Sequence, residues 1–252
     1  MKGSRLFFVT SLFIVFLFIS VFGNVTSEEL NRMFYEARRD YDVEKILKVI
    51  KTIEGISGYD KDARLLTILA DAYMEYGVWG ASDKEKEKLY ENARKYAEMA
   101  LKIDPKNGRA SYVAGSAIGR LAKYKGIVQS LFMLGDFDRY IDNAIKLLSE
   151  NDEEQKLYKS FAYIASGMRF RDVPWPLYNY KKSEELLNAA LKLTPNYPNI
   201  YLELGYLYLK TGDKAKAKEM FEKVVSGKAY PWLIKTHEDA VKSAQEELKN
   251  LK

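Results

Sequence analysis

One helix pair is written into this chain several times, and that repetition restricts the fold more than any other property of the sequence. Its clearest copy covers residues 199–225. Tyr201, Leu204, Gly205 and Tyr208 recur at the three- and four-residue spacing of a helix face, Gly212-Asp213 breaks the run, and Ala217 and Phe221 resume it. A second copy begins with Leu66, Leu69, Ala70 and Tyr73, passes through Val78-Trp79-Gly80 and closes with Ala93, Ala97, Ala100 and Asp104-Pro105. A third has Ala114, Gly115 and Ile118, then Ile141 and Ala144 beyond an insertion from Gly126 to Asp136. The fourth has Tyr163, Ser166, Gly167 and Phe170, then Val173-Pro174-Trp175-Pro176, then Leu187, Ala190 and Pro195. A small residue where two antiparallel helices cross lets their backbones approach, and a large residue from the partner helix fills the space above it. Such a pair cannot bury its apolar face alone, so successive pairs must stack.

The expectation is an all-α chain of about ten or eleven helices forming four to five pairs, with residues 28–54 as a degenerate opening pair and 232–250 as a polar capping helix. Only 6 prolines and 15 glycines punctuate 252 residues, and no Ser/Gly-rich linker divides them, so residues 24–252 read as one domain.

On Tyr201, Leu204, Gly205, Tyr208, Ala217 and Phe221 the chain resembles the tetratricopeptide-repeat (TPR) family, which implies a right-handed superhelix. Val224 departs from the pattern, where a small residue is usual, and the terminating proline comes late, as Pro231. A narrower likeness rests on the order Arg64 to Gly77, Ile103-Asp104-Pro105, the element Lys125 to Phe132, the Pro-Trp-Pro insertion and a regular last repeat. Over roughly residues 60–225 this order looks like the T component of TRAP transporters, and it is also similar to the bacterial-type domain of regulator-of-microtubule-dynamics proteins. The TRAP resemblance implies an exported protein that associates with a periplasmic solute-binding protein. The chain has 0 cysteines and so lacks the acylated cysteine of lipid-anchored relatives.

Lys2 and Arg5 precede Leu6 to Phe22, a 17-residue run without charge. It reads as a secretory signal occupying residues 1–23, with Val21 and Gly23 as the −3/−1 pair, or as a retained anchor. As a helix it would span about 25 Å, slightly short of the ~30 Å of bilayer hydrocarbon. Both readings place the rest of the chain outside the cytoplasm, either periplasmic or held to the outer face of the inner membrane, with membrane contact only through residues 6–22.

The chemistry of catalysis is missing. The single histidine, His237, is expected on the surface and has no second His or Cys for a zinc site, so no metal and no cofactor are expected. Glu153-Glu154 and Glu184-Glu185 are sequence neighbours that diverge around a helix, and no phosphate loop or nucleophile elbow is present. The expected protein is not an enzyme. Net charge is only +5 with alternating signs, as in Lys84-Glu85-Lys86-Glu87-Lys88, which excludes a nucleic-acid footprint.

In TPR domains the first helix of each pair lines the concave surface. Carried onto this sequence, the groove positions are Arg64, Thr67 and Asp71; Arg109, Tyr112, Ser116 and Arg120; Ile164, Met168 and Arg171; Leu202, Tyr206 and Lys210. Within that set Arg109, Arg120 and Arg171 are expected to hold an anionic group from outside, because cations confined together need a counter-charge, while Tyr112 and Tyr206 pack on its carbon skeleton. The alternative is that these are ordinary exposed residues of a Lys-rich protein. Two functions follow: an exported scaffold for a protein or peptide partner, or an accessory holding a small carboxylated or apolar ligand inside the superhelix. Trp79, Trp175 and Trp232 sit between helices and are expected to plug the ends of the array.

Overall fold

A computed structural model describes residues 25–251; the expected leader, residues 1–23, lies outside them. The described residues form eleven α-helices: α1 Ser27–Asp40, α2 Val43–Gly55, α3 Ala63–Glu75, α4 Asp83–Ile103, α5 Gly108–Leu121, α6 Gly126–Leu147, α7 Glu153–Asp172, α8 Tyr180–Leu193, α9 Asn199–Thr211, α10 Lys214–Ser226 and α11 Ile234–Asn250. They pair in chain order, α1/α2 through α9/α10, into a right-handed superhelix of five pairs capped by α11.

Helix starts are written locally. Thr26, Asp42, Asp62, Asn107, Asp152, Asn179 and Asp213 each accept a hydrogen bond from a first-turn amide, and Ser82 with Glu85 forms a capping box before α4. Gly212 ends α9 at φ 82°, a left-handed turn that glycine adopts without strain, and Asp213 starts α10 at once.

The pairs pack as the repeat pattern requires. Gly205 of α9 lies beneath the Phe221 ring of α10, so closely that a Cβ there would collide with it. Gly115 under Ile141 and Gly167 under Leu187 repeat the arrangement in earlier pairs. These contacts feed one continuous core running from Leu30 and Phe34 in α1 to Leu233. A smaller cluster at the end joins Leu202, Ala217, Phe221 and Val224 to Ala240 and Ala244 of α11.

Three expectations need correction. His237 is buried, not on the surface: it faces inward from the first turn of α11, its amide bonded to the Leu233 carbonyl and its Nδ1 without a protein partner. The capping helix is amphipathic, because it buries His237, Ala240 and Ala244 against the last pair. Of the tryptophans only Trp79 is a true plug. It lies in a π-helical turn, Tyr76–Gly80, stacks on Tyr41 at 5.0 Å and donates its indole N–H to Glu75 at 3.0 Å. Trp232 is half exposed beside Tyr35, and Trp175 is almost fully in solvent.

α1, α3, α5 and α7 run in the same direction. One end of the superhelix therefore gathers their first turns, where Arg64 bonds Ser27 and Glu28, and Asn31 bonds Glu154. The other end gathers their last turns, the start of α6 and the loop between α7 and α8. No described helix is long and apolar enough to cross a membrane.

Candidate functional site

The inner faces of α1, α3, α5 and α7 converge so far that side chains reach across the lumen. Arg109, at the start of α5, is the hub. Its Nε donates to Asp71 of α3 at 3.0 Å, and its Nη1 donates to Asn31 of α1 at 2.6 Å and to Glu154 of α7 at 2.9 Å. The guanidinium also lies over the rings of Phe34, Tyr35 and Tyr158, 4.8–5.5 Å from their centroids. Asp71 has no exposed surface and accepts a second hydrogen bond from the Tyr158 hydroxyl.

A second ion pair closes the lumen one turn deeper. Arg38 of α1 meets Glu75 of α3 at 3.1 Å, both side chains almost wholly buried, and its guanidinium lies 4.9 Å from the Phe161 ring of α7. Arg38 Nε and Nη1, Asp71 Oδ1 and the Tyr35 hydroxyl have no protein partner. Around these charges Tyr112 packs edge-on to Tyr158 at 5.5 Å and next to Phe161 at 5.8 Å, with Ser116 one turn further along α5. Burial pushes the Tyr112 and Tyr158 hydroxyls above the ordinary tyrosine range, so both are neutral here.

The groove positions therefore divide. Asp71, Arg109, Tyr112 and Ser116 are brought together in the lumen, and Thr67 joins their edge, bonding the Ala63 carbonyl and the Asn107 side chain. Arg64 sits exposed at the mouth, engaged with Ser27 and Glu28. Arg120 is half-buried with its guanidinium 5.8 Å from the Tyr90 ring, away from the hub. Met168 and Ile164 are half-buried on α7, and Lys210 is exposed. Leu202 and Tyr206 belong to the small cluster with α10 and α11, Tyr206 lying 5.7 Å from Phe221. Arg171 is buried against Asp172 at 2.8 Å and Glu203 at 2.7 Å, and also donates to the Glu203 carbonyl at 3.0 Å. Burial raises the Glu203 carboxyl above the usual carboxylate range, against the opposing pull of Arg171.

These contacts overturn one premise of the sequence reading. Arg109 and Arg171 do not await an external anion, because Asp71, Glu154, Asp172 and Glu203 neutralise them from neighbouring positions. The groove positions inferred from the sequence include no residue of the opening pair. Yet Asn31, Phe34, Tyr35 and Arg38 of α1 complete the lumen. The signal is present in α1: Arg38 follows Phe34 by four residues, which places a charge on the apolar face and demands a buried counter-charge. No group of three His, Cys, Asp or Glu residues suited to a metal ion occurs among the described residues.

The family model described as Regulator of microtubule dynamics protein 1-3 matches residues 30–172, more than half of the chain. The chain belongs to that family. A TPR repeat model matches residues 179–212. No curated protein matches the chain significantly. Among solved structures the chain is similar to a thermophilic TPR protein of Thermus thermophilus, with 15% identity, a TM-score of 0.56 and coverage of 90% of this chain and 98% of that one. At that identity the likeness establishes the fold alone, a TPR superhelix. The regulator-of-microtubule-dynamics region runs from Leu30 in α1 to Asp172, the last residue of α7, so it contains every member of the Arg109 and Arg38 clusters. The Arg171–Glu203 pair ties that region to the following TPR repeat.

Proposed function

We propose that this chain is an exported TPR scaffold that holds a protein partner in the cell envelope, with a periplasmic solute-binding protein of a TRAP-like transporter as the candidate partner. Residues 1–23 are its leader or anchor and residues 24–252 its working domain. The observation that carries the scaffold reading is the use of the inner face: Arg109, Asp71, Glu154, Arg38 and Glu75 are spent on one another, so an extended peptide has no open groove of charges to enter. A partner is left the outer helix faces and the two ends of the array. Export rests on Lys2, Arg5 and the apolar run to Phe22.

A second reading, an accessory enclosing a small carboxylated solute, draws on the buried nitrogens of Arg38 that lack a protein partner. Native mass spectrometry of the purified chain separates the two. The scaffold reading expects the mass of the polypeptide alone, and binding to a purified solute-binding protein in a pull-down. A stoichiometric small molecule lost on unfolding, with no protein bound, would support the accessory instead.

A further inference from the structure

At the end of the superhelix where α5 and α7 finish, two projections are apolar and uncharged. The first is the start of α6: residues 126–135 contain no charge, and Val128, Leu131 and Phe132 are exposed, Phe132 by 84%. The second is the loop from α7 to α8: residues 173–180 contain no charge, and Trp175 is 79% exposed with Leu177 and Tyr178 beside it. Both lie at the same end because α6 runs antiparallel to α5, with Gly119 against Phe137 and Gly108 against Leu148, and antiparallel to α7, tied by Arg169 to Asp138 at 2.7 Å. Large exposed apolar side chains gathered at one pole mark a contact surface.

The charges around these tips say what kind of surface they meet. Each tip adjoins a lysine pair, Lys123 and Lys125 before α6 and Lys181 and Lys182 after the loop. Several acids at this end are paired, Asp172 with Arg171, Asp136 with Arg94 and Arg139, Glu87 with Lys125 and Glu185 with Lys182, while Glu85 and Asp142, farther from the tips along α4 and α6, form no ion pair among the described residues. Lys123 and Lys181 are exposed and form no ion pair among the described residues. Each tip is thus apolar and aromatic with one unpaired lysine next to it, Lys123 at the first and Lys181 at the second. A second copy of the same pole would oppose lysine to lysine, which disfavours self-association. Aromatic and aliphatic tips flanked by lysine suit the interface of an anionic bilayer, where the rings settle at headgroup depth and the ammonium groups meet lipid phosphates.

We propose that this pole docks on anionic membrane surfaces, inserting Phe132 and Trp175 into the interface without spanning it. α1 begins at the opposite end, so a contact made by the pole is distinguishable from one made by the apolar run that precedes α1.

The absence of native cysteine allows the test on the full chain. Val128→Cys and Leu177→Cys, each carrying an environment-sensitive fluorophore, are mixed with phosphatidylcholine vesicles with and without phosphatidylglycerol. Lys218→Cys on α10 serves as the remote control. Both pole probes should brighten severalfold and shift to the blue with anionic vesicles, and be quenched by spin-labelled lipid, while the control stays unchanged. The response should weaken as salt shortens the Debye length from ~8 Å to ~3 Å, and vanish when Phe132→Glu and Trp175→Glu are added. Vesicle binding with silent pole probes would overturn the proposal, because the apolar N-terminal run would then account for it. So would a response that survives the double substitution, or one that needs only more protein and no lipid, which would make a second copy the occupant. A response elicited by a purified protein and by no vesicle would assign the pole to a protein partner instead.

Discussion

The Arg109 guanidinium lies 2.9 Å from the carboxylate of Asp71, a side chain with no exposed surface. The two residues sit on successive first helices, 38 positions apart, and their union draws α3 and α5 together while Asn31 and Glu154 attach α1 and α7 to the same point. A surface that open TPR arrays leave to a ligand is here an internal polar joint. Removing one partner of such a pair strands the other charge in a medium that solvates it poorly.

Arg109→Ala should therefore lower unfolding free energy by about 3–5 kcal/mol, a loss expected of a buried pair broken on one side. Arg109→Met together with Asp71→Leu should recover most of it. Urea denaturation of the three proteins checks both statements. A change under about 0.5 kcal/mol for Arg109→Ala, the level of an ordinary surface substitution, would mean that Arg109 is solvated.

Two glycines in helices should respond with opposite signs. Gly205→Ala drives a methyl into the Phe221 ring and should cost about 1–3 kcal/mol, with partial relief on adding Phe221→Leu. Gly135, inside α6, has open space within 4 Å of where a Cβ would stand, and Gly135→Ala should stabilise by about 0.5–1 kcal/mol through helix propensity alone. Equal effects at the two positions in a thermal melt would contradict the packing described.

The contrast between these glycines also explains what the sequence can and cannot reveal. Gly205, Gly115 and Gly167 stand at fixed places in a repeating pattern, and each meets the large partner residue that the pattern supplies, so the helix pairs are legible. The lumen is not, because its closure depends on superhelix curvature, which is set by small rotations summed over pairs. Two local clues exist. Arg38 lies on an apolar face, and α3 buries nearly every residue from Leu65 to Glu75, including Asp71 and Glu75, as a helix packed on all sides must. A position counted outward from a packing residue cannot distinguish an open groove from a filled one. The same counting puts Tyr206 in the groove, although it packs against Phe221 and α11.

Glu203 makes stability depend on pH. Its folded-state proton affinity is raised by burial, so the folded chain binds that proton more tightly than the unfolded chain does. The penalty for its charged form is present at neutral pH and fades as pH falls through the raised value toward the ordinary ~4.3 of an unfolded glutamate. The stability of the native chain relative to Glu203→Gln should therefore rise as pH is lowered from about 7 to about 4. Guanidinium titrations of both proteins across that window measure it, and a difference that is flat or falls toward acid would refute the assignment.

A reporter fused after Lys252 tests export. An alkaline phosphatase fusion, active only outside the cytoplasm, should be active, and substitution of acidic residues into the run from Leu6 to Phe22 should silence it. Activity of a cytoplasm-only reporter at the same position would place the domain inside.

The central claim is that α1 is an integral wall of a closed lumen. Native-state hydrogen exchange at the amides of Phe34, Tyr35, Ala37 and Arg38 measures this most directly. Leu30, Phe34 and Ala37 have no exposed surface, and Arg38 is locked to Glu75, so these amides should exchange only through global unfolding, with the same free energy as Leu66 and Leu69 in α3. Exchange from α1 through a local opening several kcal/mol below the global value would contradict the account, because the lumen would then open to a ligand without the domain unfolding.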